Sequence, residues 1–501
     1  MRVNFFWKRG LLLAMLLLLC SVLAAQAQEA GPKAVEIRVM TFNIWVGGEL
    51  VDFNQVVETI KAAQADIVGL QEAGGNTRRL AEALGWPHAN ERMQIISRFP
   101  LIDPPDGNGT YIYAQINPGE VVALANVHLP SDPYGPYAVR DGSSPEEVLE
   151  LEKATRLVAI EPTLATLSKL IEAGTPVFLT GDFNTPSHLD WTGAVAEARA
   201  EVKYPLEWPV TAAVEAAGLQ DTYRAIHPDP VAEPGITWTY GYPYPRLNPD
   251  EIVDRIDLVF AGGPVEVLNS ELVGPTGVPT VDIGMQPFPS DHSGVVSTVR
   301  VTPVVPPLFV APDRRRVEVG QPIVVRYHAP TGEETDRIVV VPAGGSAEED
   351  ALMWLPPYEA SFFGSVSFGS GHLEPGLYEA VLVGAEGEEV SRSQFWLVDP
   401  AGIPTVSADK SSYKAGETIT VTWDNAPANR WDWLAIYSAG DPDLYNGYWG
   451  YAYTKASPTG EAAFDSAALG EEMLPPGEYE LRLMLDDGYI VLATASFTVT
   501  E

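Results

Sequence analysis

The chain has 501 residues, 46% hydrophobic and 20% charged, a length for two to four globular domains and a balance that excludes a disordered or fibrous protein. Lys and Arg total 31 against 67 Asp and Glu, a formal charge of −36 that opposes nucleic acid and anionic lipid unless a basic cluster overrides it, and the sequence shows none.

Residues 1–27 read as a signal peptide: Arg2, Lys8 and Arg9, an apolar run from Leu11 to Ala25, and Ala25-Gln26-Ala27 as a small-x-small cleavage site. The run is short of the ~20 residues that span a bilayer, so no transmembrane span is expected in the mature protein, and the location is secreted or extracytoplasmic. Cleavage would remove the only cysteine, Cys20, and with it disulfides, thiol catalysis and Cys-ligated zinc. It would leave 28 basic against 67 acidic residues, or −39.

Strands and helices then alternate. Val35, Ile37 and Val39 form a half-buried strand that ends at Thr41-Phe42-Asn43-Ile44. A helix opens at Asp52, with Phe53, Val56, Val57 and Ile60 on one face, and leads to the apolar strand closed by Gln71 and Glu72. Residues 95–97 and 111–116 read as a strand pair, and residues 121–129 as a long apolar strand carrying Asn126 and His128. A helical region between Ser143 and Gly174 has Ser144 as N-cap and Pro145 in the first turn, and is expected to break at Pro162.

It delivers the chain to residues 177–184, VFLTGDFN, where a buried strand turns at Gly181 and sets Asp182 and Asn184 on one side. Taken alone, Gly, Asp and Asn after a strand are also plain turn chemistry. In the strand 255–260, RIDLVF, the acid Asp257 needs a partner because an unpaired buried carboxylate is costly; His292, in Ser290-Asp291-His292, is the candidate. Asn43, Glu72, His128, Asp182, Asn184, Asp257, Asp291 and His292 thus set hard oxygens and two imidazoles at strand ends. That donor set suits metal-assisted hydrolysis, with a cation on Glu72 and Asp291 and an imidazole held by a buried carboxylate to activate water. Acyl transfer is disfavoured, since no Gly-x-Ser-x-Gly elbow is present.

TFNI at 41–44, LQE at 70–72, NVHL at 126–129, GDFN at 181–184, RIDLVF at 255–260 and SDH at 290–292, in this order, resemble the endonuclease/exonuclease/phosphatase superfamily, the deoxyribonuclease-I-like fold, over residues 35–302. The resemblance implies an α+β protein whose catalytic domain is a four-layer α/β/β/α sandwich. It also implies a metal site at Asn43, Glu72 and Asp291, and catalysis by His292 with Asp257, His128, Asp182 and Asn184. The cofactor would be Mg²⁺ or another hard divalent cation such as Mn²⁺ or Ca²⁺, and the activity phosphodiester hydrolysis by in-line water attack. A sphingomyelinase-like lipid phosphodiesterase is the rival enzyme, and a surface-binding protein with an inactive first domain the rival of another class. Relatives often carry a small Gly-containing run where this chain has Arg92-Met93-Gln94, only about 20 residues beyond Glu72, so a loop used to grip DNA is expected to be missing. Aromatics in residues 130–140, 188–191 and 237–245 suit either stacking on substrate or loop packing.

After VVPP at 304–307, residues 308–399 and 403–501 repeat each other at a spacing of about 100, as LEPGLYEA at 373 and LPPGEYEL at 474 do, and read as two all-β immunoglobulin-like sandwiches. Trp431, Trp433, Tyr445, Tyr448, Trp449 and Tyr451 read first as core packing and second as a surface or glycan contact. No stable duplex DNA binding is expected. A chain ending near Thr302 is expected to keep full turnover on a soluble phosphodiester, since every site residue precedes the linker.

Overall fold

The computed structural model describes residues 33–358, 361–445, 447–469 and 473–501; residues 1–27, read above as a signal peptide, and Cys20 lie outside them. Alternation of apolar side chains builds the first domain from two sheets. The strands are β1 (Val35–Asn43), β2 (Ile67–Gln71), β3 (His88–Asn90), β4 (Ile95–Ser97), β5 (Leu101–Ile102), β6 (Ile112–Asn117), β7 (Glu120–His128), β8 (Val177–Asp182), β9 (Leu219–Asp221), β10 (Asp257–Gly262), β11 (Val265–Pro275), β12 (Ile283–Met285) and β13 (Gly294–Val301). One sheet has the order β12-β11-β13-β1-β2-β4-β3, the other β5-β6-β7-β8-β10-β9.

The central strands bury both faces, so successive residues serve different cores. Ile37, Val39 and Ile67 meet Leu124, Phe178 and Val259 between the sheets. Met40, Phe42, Val68 and Leu70 turn the other way, onto Phe53, Val56 and Ile60 of the helix Phe53–Ala63. In the second sheet Ala123, Ala125, Leu179 and Phe260 face Ile160, Leu164 and Leu167 of the helix Val158–Glu172.

Two local expectations are corrected. Residues 95–97 and 111–116 do not pair: β4 lies between β2 and β3 in one sheet, and β6 between β5 and β7 in the other. Residues 98–100, ending at Pro100, carry the chain across from one sheet to the next. The helical region begins as expected, with Ser144 and Glu147 forming a capping box, but Pro162 does not break it. Residues Lys153–Leu157, just before that helix, adopt a π-helix. Among the described residues no helix is long and apolar enough to cross a membrane.

Beyond residue 308 come two β-sandwiches, each a three-stranded and a five-stranded sheet with equivalent strand orders. Separate clusters around Ile323, Tyr327 and Phe395, and around Val421, Trp423 and Phe497, fill them. Neither stands apart from the first domain. Phe309 and Ala311 complete the core beside the helix Val158–Glu172. Arg315 and Arg92 converge on the buried Asp103, whose carboxyl is held below its usual range because, although burial opposes ionisation, the two guanidinium groups outweigh it. The last sandwich reaches the site itself, as described below.

Candidate active site

Register makes the site. In the second sheet His128 of β7 is the partner of Asp182 of β8, and Asp182 the partner of Asp257 of β10. Neighbouring strands lie ~4.8 Å apart, so the three side chains form a row across the sheet end. In the first sheet Asn43 pairs with Gln71, which places Glu72 one residue beyond the strand end.

The two ends are joined by Asn43, whose Nδ2 donates to Glu72 Oε1 and to Asp182 Oδ2, both at 3.1 Å. Its Oδ1 accepts from the Trp45 N–H at 3.0 Å. The amide cannot turn over, because two carboxylates need its donor and a backbone N–H its acceptor. Asn43 therefore orients Glu72 and Asp182, and its Oδ1, the oxygen expected to serve a metal, accepts one N–H and keeps a second lone pair. Glu72 also accepts the Val46 N–H through Oε2 at 2.9 Å, and its backbone is left-handed, with φ of 54°. A non-glycine residue held there marks a strained position, as does Asn184 at 49°.

Asp182 sits between the histidines: its Oδ2 is 3.6 Å from His128 Nε2 and 3.7 Å from His292 Nε2. The Asn184 N–H donates to Asp182 Oδ1 at 2.9 Å, while Asn184 Nδ2 is spent on the Leu129 carbonyl at 3.0 Å. The buried Asp257 carboxylate has the partner its position demands, His292 Nδ1 at 2.9 Å. Its other oxygen, Oδ1, is buried with no hydrogen-bond partner. Ser290 Oγ accepts the His292 N–H and donates to the Asn43 carbonyl, pinning the SDH turn to the first sheet.

Charge is in excess. Burial lowers the His292 pKa, but Asp257, Asp182 and Asp291 outweigh it and hold it well above the usual value. Burial pushes Asp291 up to about 7, with Glu72 adding and His292 opposing. Burial also lowers His128, yet Asp487, Asp182 and Glu72 bring it up to about 9. Asp182, Asp257 and His292 each bring a ligand atom within 4.8 Å of the others, a buried group that could hold a metal ion.

The loop aromatics pack mainly on each other. Trp238 lies 5.6 Å from Tyr134 and 6.0 Å from Tyr242, ring to ring, and 6.1 Å from the His292 ring. Trp191 stacks edge-on with Trp208 and donates to Asp254 at 2.9 Å.

Sequence reasoning missed two sets of residues. Gln71 Nε2 donates to Asn126 Oδ1 at 2.7 Å, and Thr180 Oγ1 to the same oxygen at 2.9 Å, a buried bridge between the sheets behind the row of His128, Asp182 and Asp257. The second is Asp487, from the last sandwich, whose Oδ2 lies 2.6 Å from His128 Nδ1. The internal repeat carried a signal: the turn at 384–388 reads Gly-Ala-Glu-Gly-Glu, and its counterpart at 485–489 reads Leu-Asp-Asp-Gly-Tyr.

Comparison with known proteins agrees with this geometry. Residues 40–292 match the model of the Endonuclease/Exonuclease/phosphatase family. An uncharacterized protein of Caenorhabditis elegans is 32% identical over 316 residues, covering 57% of this chain and 96% of that protein. Among solved structures, an endonuclease/exonuclease/phosphatase from Beutenbergia cavernae is 20% identical over 72% of this chain and all of its own, with a TM-score of 0.34. D. rerio TDP2 complexed with single-strand DNA product is 15% identical over 53% of this chain and 99% of its own, with a TM-score of 0.32. Fibronectin(III)-like modules of Clostridium thermocellum CbhA are 14% identical over 38% of this chain and 93% of their own, with a TM-score of 0.16. With its six motifs at the ends of two sheets and the family model spanning half its length, this chain belongs to the endonuclease/exonuclease/phosphatase family, and immunoglobulin-like modules follow its family domain.

Proposed function

We propose that the protein is a divalent-metal-dependent phosphodiesterase of the extracytoplasmic space. The observation that carries this reading is the placement of Asp182 between the Nε2 atoms of two imidazoles, one of them held by Asp257. Asp257 accepts from Nδ1 and leaves His292 Nε2 to take a proton from the attacking water, which Asp182 orients. His128, with a pKa of about 9, stays charged at neutral pH and donates from Nε2 to a phosphoryl oxygen.

The residues fit a hard cation. Glu72, Asp182, Asp257, Asp291 and Asp487 outnumber the two imidazoles, and Asp257 Oδ1 has no partner. We assign the cation to Glu72 and Asp291, keeping Asp257 for the His292 ring and Asp182 for the water, with Asn43 holding Glu72. When bound, Mg²⁺ or a similar ion supplies charge stabilisation at the phosphoryl oxygen and draws on the carboxylates that now hold the His292 pKa up.

Purified full-length protein is expected to hydrolyse bis-(p-nitrophenyl) phosphate with Mg²⁺ and to lose that activity with a chelator. Full turnover in excess chelator would sink the metal mechanism.

A further inference from the structure

The turn at residues 485–489 joins the strands Gly477–Met484 and Val491–Thr500 of the last sandwich, more than four hundred positions after the first strand of the site. It is built to a fixed shape. Asp486 and Asp487 both have left-handed backbones, φ 42° and 58°, and the Gly488 N–H donates to the Leu485 carbonyl at 2.8 Å, the geometry of a type I′ turn. The equivalent turn of the preceding sandwich has neither Ala385 nor Glu386 at positive φ. The turn is anchored from behind by the Asp487 N–H on the Trp431 carbonyl at 2.9 Å and by Trp433 Nε1 on the Gly488 carbonyl at 3.0 Å.

The turn docks on the catalytic rim. Asp486 accepts from the Gly75 N–H at 3.0 Å and from Gln94 Nε2 at 2.8 Å. The approach is close enough that a Cβ on Gly75 would lie 2.7 Å from Leu485, and one on Gly488 would lie 3.2 Å from the Gly74 backbone. Gln94 in turn accepts the Leu70 N–H on its carbonyl at 2.8 Å, two residues before Glu72. Beside the turn, Tyr489 stands 4.2 Å from Tyr445 and 5.9 Å from Trp433, ring to ring, continuing an aromatic face that includes Tyr448.

Building on the phosphodiesterase reading, we propose that the last sandwich is a wall of the catalytic site. Asp487 is a positioning residue that fixes the His128 ring through Nδ1 with Nε2 toward Asp182, and the tyrosines beside it close that side of the mouth, so the substrate is a small phosphodiester. A carboxylate 2.6 Å from Nδ1 fixes which nitrogen of His128 faces the substrate, as Asp257 does for His292. The two histidines thus have matching supports, one from the second sheet and one from another domain.

The test uses the full chain with Asp487→Ala, Asp487→Asn, His128→Ala, the double variant His128→Ala/Asp487→Ala, and Glu386→Ala in the preceding sandwich as control. On bis-(p-nitrophenyl) phosphate with Mg²⁺, Asp487→Ala is expected to lower kcat by about tenfold or more with little change in KM. Asp487→Asn, isosteric and still an acceptor, should fall between it and the wild type. The double variant should be no slower than His128→Ala, and Glu386→Ala should match the wild type. Multiplying losses in the double variant, or an unchanged kcat in Asp487→Ala, overturns the positioning role.

Proton NMR supplies a second readout: a hydrogen-bonded ring proton of His128, present in the wild type and lost in Asp487→Ala. Its absence from the wild type overturns the contact whatever the activity. Supercoiled plasmid and sphingomyelin vesicles are expected to react far more slowly than the small ester, and equal rates on either overturn the small-substrate assignment. If the wild type hydrolyses none of the three, the phosphodiesterase reading fails, and the ring proton still decides whether Asp487 holds His128.

Discussion

A carboxylate buried against an imidazole has two consequences at the level of single residues, one for catalysis and one for metal demand. His292→Ala is expected to lower kcat by about 10² to 10⁴, and Asp257→Asn by less, since it misorients the ring without removing it. The pair shares one hydrogen bond of 2.9 Å, so the double variant should lose less than the product of the single losses; a full product would separate them. Glu72→Gln should raise the Mg²⁺ concentration needed for half activity, read by titrating the ion against rate, because it removes one of the two charges assigned to the cation. Asp486 gives a stability signature. Burial raises its pKa from 3.8 to about 8, with Asp432 adding and Gln94 opposing. The folded state therefore holds a proton that the unfolded chain releases near pH 4. The stabilisation is complete below that pH and is lost as pH rises toward 8. The unfolding midpoint should fall across this window by more in the wild type than in Asp486→Asn.

At the level of elements, the two sheets approach at their centre because Gly69 of β2 has no side chain. A Cβ there would lie 2.0 Å from Thr180 Oγ1 and 2.5 Å from Asn126 Oδ1. Gly69→Ala is expected to destabilise the protein by about 1–3 kcal/mol through overpacking, measured by denaturant unfolding. It should also lower kcat, since the displaced strands end on Glu72 and Asp182. β7, β8 and β10 were legible in the sequence as apolar runs because both their faces are buried, and β1 by the alternation at its start. The pairing of residues 95–97 with 111–116 was misread, because strand pattern names a buried face and not the neighbour that shares it. Pro162 was misread because a proline removes one ladder bond and not the packing of the helix, whose Ile160, Leu164 and Leu167 stay buried on the second sheet.

The whole molecule changes the expectation for truncation. Ending the chain near residue 302 would remove Asp487 from His128 and Phe309 and Ala311 from the first domain's core. We expect kcat/KM on a small soluble phosphodiester to fall more than tenfold, beyond about 1.4 kcal/mol. Retention of full turnover would return the site to the first domain alone. The excess of acid, 67 residues against 31 basic, predicts weak duplex DNA binding that declines steeply with salt. Tight duplex binding at physiological salt would reveal a basic face that the composition hides.

The sequence by itself determined the family and named the residues that the structure gathers at the sheet ends. Hard oxygens and imidazoles at strand ends, in one order, are local chemistry that each segment carries with it. It also determined that Asp257 needs a partner, since a carboxylate inside an apolar strand admits few alternatives. Only the tertiary structure decided that His128, Asp182 and Asp257 form a row, because sheet register is a property of neighbouring strands and not of any one of them. The same holds for Asn43, whose amide is turned by two carboxylates and a backbone N–H from separate segments. Asp487 lies furthest beyond sequence reasoning. An Asp-Asp-Gly turn is ordinary hairpin chemistry, and it becomes part of a site only through the docking of one domain on another, a contact 359 residues apart along the chain.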